Sequence, residues 1–384
     1  MTNPTSNTNL SVNISYWELK HYFSLADLIV VGAGIVGLNA TIEFKRKHKK
    51  AKVFVLESGI IPMGASTKNA GFACFGSPSE LLSDLKKTPE DSVWETVQMR
   101  WNGLQLLRKN LGDKNIDFHN WGGYELFNTN KSFELCSEKL NYLNKKTKEY
   151  IGQSNCYSLA NKSINKFGFN DLSGVILNKH EGQIDTSKLF TQLAELAQKT
   201  GVEIISGVHV NELKDTGSGV QLSTGFGVFK SKKCIVAING FAKELLKIKD
   251  VAPARAQVLI TKPLKNLKIK GTFHYDEGFY YFRNIDGRLL FGGGRNLDFE
   301  GETTTHLKVT PKIQNQLEHL LKTVILPKQK FEIEHRWAGI MGVGSEKKPI
   351  VKNYSANIIC AVRMGGMGVA IGSLVGKEAA LLAS

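Results

Sequence analysis

The sequence predicts an α/β protein built as two interleaved domains, and three observations lead there. An apolar strand, DLIVV (27–31), runs into Gly32-Ala33-Gly34-Ile35-Val36-Gly37, a helical pattern and a second apolar strand, KVFVLES (52–58). Strands apolar on both faces belong to buried parallel sheets, and a strand–helix–strand unit of about thirty residues is the building block of such a sheet. The middle of the chain is rich in short strands with Gly and Asp turns, and the end returns to a strand, NIICAV, a glycine turn and a helix, VAIGSLVGKEAALLA. Such an order predicts that the chain crosses between domains several times.

Composition narrows the class. The 384 residues are ample for a buried core, and 42% hydrophobic with 22% charged residues excludes disordered, collagen-like and disulfide-framework chains. The longest apolar run, LIVVGAGIVGL, falls short of the ~20 residues a bilayer needs. The start, MTNPTSNTNL, has no basic-then-apolar leader pattern, so no transmembrane or secretory segment is read. Five scattered cysteines (Cys74, Cys136, Cys156, Cys234, Cys360) without a CxxC read as reduced thiols of a cytoplasmic protein, and no spacing suggests a metal. The formal charge of +15 admits a polyanionic partner. The lysines, however, sit in FKRKHKKAK, LKKT, NKKTK and FKSKK without interleaved stacking aromatics, which is the pattern of a solvated surface, so nucleic acid is not expected as a partner.

The remaining elements follow in order. Residues 1–13 read as a disordered tail, and 14–26, with Trp17, Tyr22 and Phe23, as a short docking segment. A small-residue loop, GASTKNAGFACFGS (64–77), precedes a helical stretch over 79–111 that ends at Gly112. GGYELF (122–127) is a strand, 131–149 a lysine-rich helix, and GVILNKHEGQID (174–185) a strand with its turn. Asp185 or Thr186 caps an amphipathic helix closed by Gly201. Strands follow through AQVLIT, GFYYFRN and RLLFGGG, with a last helical stretch near 310–323.

The glycine spacing after the first strand has a physical cause. Gly32 allows the tight turn, Gly34 lets the backbone approach a pyrophosphate, and Gly37 lets helix and strand pack closely; the amides at Ile35 and Val36 open the helix toward the phosphates. Glu57 closes the second strand twenty residues beyond Gly37, where a carboxylate accepts from both ribose hydroxyls and disfavours a 2′-phosphate.

These pieces, with the GASTKNAG loop, EGQIDTSKLFTQLAELAQKTGVEI, CIVAING (234–240), APARAQVLIT, DGRLLFGGGRN, RWAGIMG and RMGGMGVAIGSLVGKEAA, resemble in order and spacing the D-amino-acid oxidase superfamily of FAD-dependent oxidoreductases over about residues 25–382. Glycine oxidase, sarcosine oxidase and D-amino-acid dehydrogenase belong to that group. The resemblance implies an FAD-binding Rossmann-like domain of the glutathione-reductase type (14–112, 181–250 and 336–384) interleaved with an antiparallel-sheet α+β substrate domain (113–180 and 251–335). It also implies that Gly32, Gly34, Gly37, Glu57 and Ser58 hold the ADP half of FAD, and that Ala65, Ser66, Thr67, Asn69, Ala70 and Gly71 line the pyrophosphate, ribityl chain and flavin. Val208 to Val210 contact the adenine and Asn239 and Gly240 lie near the cofactor, while the turn at Gly365, Gly366, Met367, Gly368 and Val369 faces the flavin N1–C2=O edge. Cys360 is the one cysteine near a position of covalent attachment in relatives, and the FAD is expected to be non-covalent.

On the substrate side, strand alternation puts Tyr280 and Phe282 on one face and Tyr281 and Arg283 on the other; Tyr280, Tyr281, Arg283 and Met341 are the candidate catalytic or substrate-contacting residues, with His180 and Arg336 at the rim. Several relatives carry an arginine after the Trp-x-Gly stretch that pairs with the substrate carboxylate. Met341 stands there instead, so Arg255, Arg283 or Arg295 takes that role or the substrate lacks a carboxylate. The expected reaction is oxidation of the C–N bond of a small amine or amino acid by hydride transfer to flavin N5, giving an imine that hydrolyses. Oxidation of a 2-hydroxy acid and an RNA-associated flavoprotein are the alternatives. The electron acceptor is not readable, though a cation such as Lys270 or His274 near N5 favours oxygen.

Overall fold

The computed structural model describes residues 13–384. The tail expected over 1–13 therefore lies, residue 13 apart, outside the described residues. The 14–26 segment forms a short helix, Tyr16–Tyr22, opened by a Ser15/Glu18 capping box. Tyr22 and Phe23 dock it on the rings of Phe54 and Phe229, while Trp17 stays 72% exposed.

The first sheet is built on five parallel strands in the order Ile358–Val362, Gly227–Val236, Ala26–Val31, Val53–Glu57 and Glu203–Ser206. The chain's first strand sits at its centre because its residues are apolar on both faces, with Leu28, Ile29 and Val30 fully buried. One face carries the helices Ile35–Lys47, Glu90–Leu111 and Gly368–Leu382. The C-terminal helix lies unusually close to its neighbours, because glycines stand at the contacts. A Cβ on Gly376 would come 2.6 Å from the Val36 carbonyl, and one on Gly103 2.3 Å from the Ala370 carbonyl. This close approach brings the first residues of the opening and closing helices to the same edge of the sheet.

The second sheet has eight strands, running Ile333–Val343, Ala252–Thr261, Arg288–Gly293, Tyr280–Ile285, Thr272–Tyr275, Gly123–Phe127, Gly174–Asn178 and Tyr157–Leu159. All neighbours are antiparallel except Thr272–Tyr275 beside Gly123–Phe127. Its core is aromatic, with Phe273 and Phe282 stacked at 4.7 Å. The Ile333–Val343 strand, which straddles the expected domain boundary at residue 336, pairs along its length with Ala252–Thr261 in this second sheet. A two-stranded pairing of Phe72–Ala73 with Gly182–Gln183 lies apart from both large sheets.

Two helical expectations divide. The 79–111 stretch is Pro78–Leu85 and Glu90–Leu111, since Pro89 cannot continue a helix and instead precedes the second one. The lysine-rich stretch is Asn130–Glu138 and Leu140–Ile151, meeting at Lys139. Among the described residues no helix is long and apolar enough to cross a membrane.

Candidate active site

A cleft of about 930 Å³ opens at the carboxyl ends of the parallel strands and runs against the second sheet. That is near the upper end of the roughly 300–1,000 Å³ typical of small-molecule sites. Its first wall is the opening glycine turn. Gly32 has φ +103°, a left-handed backbone that only glycine adopts freely, and a Cβ there would sit 2.9 Å from the Ala237 carbonyl. The Glu57 carboxylate accepts from the Ala33 N–H at 2.9 Å and the Gly59 N–H at 3.1 Å, pinning the turn to the second strand. Ser66 Oγ accepts from the Ile35 N–H at 2.9 Å, while the N–H groups of Gly34 and Val36 have no partner among the described residues.

The closing turn forms the opposite part of the same cleft. Gly366 has φ +86°, and the N–H groups of Gly366, Gly368 and Val369 are likewise without partners among the described residues. Asn239 ties this turn to the first sheet: its Oδ1 accepts from the N–H groups of Arg363 and Met364, each at 3.1 Å. The two sets of free amides, one at each helix start, form an anion-accepting cradle along one cleft.

The FAD dependent oxidoreductase family model matches residues 27–382, nearly the whole chain. The protein belongs to that family. Curated relatives of this oxidoreductase include the probable oxidoreductase OrdL of Haemophilus influenzae, 22% identical over 92% of this chain and 81% of that protein. The bifunctional protein ThiO/ThiG of Trichormus variabilis is 21% identical over 87% of this chain and 49% of its own length. Among solved structures, L-proline dehydrogenase from P. horikoshii superposes with a TM-score of 0.75 at 17% identity, covering 94% of this chain and 93% of that one. Glycine oxidase from Geobacillus kaustophilus gives 0.74 at 19% identity over 93% and 94%. The expected D-amino-acid oxidase fold, FAD dependence and enzyme class thus hold for this chain.

The residues present fit FAD: small side chains along the cleft, free amides at both helix starts, and Glu57 at the end of the second strand. Of the residues expected to contact it, Gly32, Gly34, Ile35, Val36, Glu57, Ser58, Ala65, Ser66, Thr67, Asn69 and Ala70 line the cleft. So do Val208, Val210, Asn239, Gly365, Gly366, Met367, Gly368 and Val369. Three do not. Gly37 packs against the opening turn, where a Cβ would meet the Gly32 carbonyl at 2.1 Å. Gly71 is turned toward Ile184 and Arg283, and Gly240 toward the Met341 backbone.

The substrate half departs further from expectation. Tyr281 and Met341 line the cleft, but Tyr280 and Arg283 do not. Tyr280 is buried in the aromatic core, and Arg283 is 2% exposed beneath the loop, donating to the Ile184 carbonyl at 2.7 Å and the Gly71 carbonyl at 3.4 Å. Burial lowers the Arg283 pKa to about 10. Alternation placed Tyr281 and Arg283 on one face correctly; the loop laid over the strand's end then covers the arginine. The rim candidates also turn elsewhere: His180 packs edge-on to Trp101, and Arg336 pairs with Gln314 and Glu318. Lys270 lies over the Trp121 ring at 4.3 Å, outside the cleft lining, whereas His274 lines it. Cys360 is fully buried within the first sheet.

The three alternative arginines separate cleanly. Arg255 is buried against Glu302 in a two-pronged pair, Nε to Oε2 at 2.9 Å and a terminal nitrogen to Oε1 at 2.7 Å. Arg283 is held by carbonyls. Arg295 lines the cleft, with a buried Nε that has no partner and its guanidinium over the Phe299 ring at 5.0 Å. Burial lowers its pKa, and Glu302 partly offsets this. Removing one partner of a buried ion pair costs about 3–5 kcal/mol. Glu302→Ala is therefore expected to lose about that much stability in urea unfolding; a loss well under ~1 kcal/mol contradicts a structural role for the pair.

The cleft is also lined by a group of charges that sequence reasoning missed. Glu80 receives Arg100 at 3.3 Å and Lys347 at 2.8 Å, and Lys347 also reaches Asp84 at 2.8 Å. Burial pushes the Glu80 pKa up, but Arg100 and Lys347 prevail and hold it at about 2. Behind them Glu125 is buried among Ser77 and Ser79, both of which donate to it, yet burial dominates and raises its pKa to about 7. A carboxyl whose folded pKa is raised favours the folded state below its unfolded value, and that contribution is lost as pH rises through the folded one. Stability is thus expected to fall between about pH 4.5 and about 7, and Glu125→Gln to flatten that fall, as read from unfolding midpoints across the range. No spacing rule joins these residues, since they come from helices, a strand and loops up to 267 positions apart.

Proposed function

We propose that this FAD-dependent oxidoreductase oxidises the C–N bond of a small amino acid, with Arg295 receiving the substrate carboxylate. The observation that carries this reading is the place of the arginines: Arg255 is paired with Glu302, Arg283 is buried outside the cleft lining on two carbonyls, and Arg295 lines the cleft with no ion pair among the described residues. Met341, at the position where relatives carry an arginine, contributes only an apolar surface beside Gly366. The structures of similar fold named for glycine oxidase, L-proline dehydrogenase and iminodiacetate oxidase add support, since all three names specify amine-bearing carboxylates.

FAD, when bound non-covalently between the two glycine turns, supplies a two-electron acceptor. The chain's own residues supply the rest. The free amides of Gly366, Gly368 and Val369 and the positive end of their helix stabilise negative charge at the closing turn. Arg295 holds the carboxylate so that the adjacent C–N bond is fixed in position. Phe72, Phe279, Tyr281 and Met341 present aromatic and thioether surfaces that exclude water from the reacting bond. Burial lifts the Tyr281 pKa to about 12, so its hydroxyl remains protonated and donates rather than acting as a base. The substrate loses two electrons and its α-hydrogen, the product imine takes up water, and an oxo acid and ammonia leave. The five buried free thiols support a reducing, cytoplasmic setting.

The test is anaerobic bleaching of the flavin colour by a panel of α-amino acids, N-alkyl amino acids, amines without a carboxylate, and 2-hydroxy acids. Bleaching by an amino acid is the expected result. Bleaching by hydroxy acids alone assigns C–O oxidation instead, and no bleaching by any amine overturns the proposal.

A further inference from the structure

Three side chains far apart in sequence meet at the wall of the cleft. Cys74 follows the Phe72–Ala73 strand, Glu181 precedes the Gly182–Gln183 strand paired with it, and His274 lies on Thr272–Tyr275. The thiol sulfur, a carboxylate oxygen and an imidazole nitrogen all lie within 4.8 Å of one another. Cys74 and His274 line the cleft, and Glu181 is 1% exposed behind them. We propose that Cys74, Glu181 and His274 form a binding site for one Zn²⁺-like divalent ion, with its fourth coordination position open to the cleft.

The donor set argues for this class of metal. Thiolate and imidazole favour zinc and its neighbours over magnesium or calcium, and three protein ligands with one open position is the pattern of a reactive rather than a structural zinc site. The geometry is within reach. Bonds of about 2.0–2.3 Å at tetrahedral angles set ligand atoms roughly 3.3–3.7 Å apart, so separations of up to 4.8 Å close by at most about 1–1.5 Å while the His274–Glu181 pair at 2.9 Å opens slightly, both within reach of side-chain rotation. His274 Nε2 and Glu181 Oε2 now share a proton at 2.9 Å. The ion replaces that hydrogen bond, with the neutral imidazole keeping its one proton at Nδ1, and the Cys74 thiol proton leaves to solvent as the thiolate binds.

The surroundings of Cys74 separate it from the other cysteines. Cys136, Cys156, Cys234 and Cys360 each belong to an apolar core cluster, and Cys74 belongs to none. It faces ionisable groups instead. His274 Nε2 is paired with Glu181 Oε2 at 2.9 Å, and the Glu181 carboxylate supplies the negative charge at this corner. An ion here occupies the cleft wall and competes with whatever binds beside it.

The experiment adds Co²⁺ to the purified holoenzyme and records absorbance beyond the flavin bands. One ion per chain, with the d–d bands of four-coordinate cobalt and a thiolate-to-metal band, displaced by Zn²⁺, is the expected result. Cys74→Ser and His274→Gln are each expected to weaken binding at least tenfold. Absence of the four-coordinate spectrum in the unaltered enzyme overturns the proposal whatever the variants do, and so does binding of equal strength in both variants. Flavin bleaching by amino acids in the metal-free enzyme reads the proposed reaction separately, so either proposal can fail alone.

Discussion

Arg295→Met is expected to lower kcat/KM for an amino-acid substrate by about a hundred- to a thousand-fold while changing turnover of an amine without a carboxylate by less than about threefold. Losing a desolvated, charge-assisted carboxylate contact costs about 3–4 kcal/mol, and each 1.36 kcal/mol is a factor of ten. The loss falls mainly in KM if the contact is made equally before and during the reaction, and in kcat if it tightens as the bond breaks. Arg295→Lys is expected to recover part of the activity, because the charge returns but the fork that grips two oxygens does not. Equal losses for substrates with and without the carboxylate would assign Arg295 a packing role against Phe299 instead.

Gly32→Val is expected to yield protein that purifies without FAD, and Glu57→Ala protein that binds it about ten- to a hundred-fold more weakly. At Gly32 two penalties act together: φ +103° strains any side chain, and the new Cβ sits 2.9 Å from the Ala237 carbonyl. The turn must shift, and the free amides of Gly34 and Val36 move with it. Glu57→Ala loses the contacts to Ala33 and Gly59 that hold the turn, as well as the carboxylate proposed to receive the ribose hydroxyls. Hydrogen bonds to a charged group are worth about 1.5–3 kcal/mol each, which sets the expected range. Titration of each apoprotein with FAD, followed by flavin fluorescence, measures both. Glu57→Ala binding FAD as tightly as the unaltered protein contradicts its place in the site.

What the sequence made legible was what lies within one short stretch. The opening turn reads plainly because its glycines, its strand and its acid fall inside about thirty residues and each has a local cause. The closing turn reads as a glycine-rich helix start, but its convergence with the first depends on Gly103 and Gly376 letting three helices approach closely, which no local pattern announces. The substrate half was least legible. The alternation in GFYYFRN separated Tyr280 from Tyr281 correctly, yet sheet order decides which face meets the cleft, and the loop through Gly71 decides that Arg283 is covered. The grouping of Cys74, Glu181 and His274 spans 200 positions and rests on strand pairings alone.

The most direct test of the two-turn cradle is the flavin content of the purified protein, read from its visible spectrum before and after denaturation. About one FAD per chain, released intact into solution when the chain unfolds, is the expected result. Colourless protein that takes up no FAD when the cofactor is supplied would contradict it.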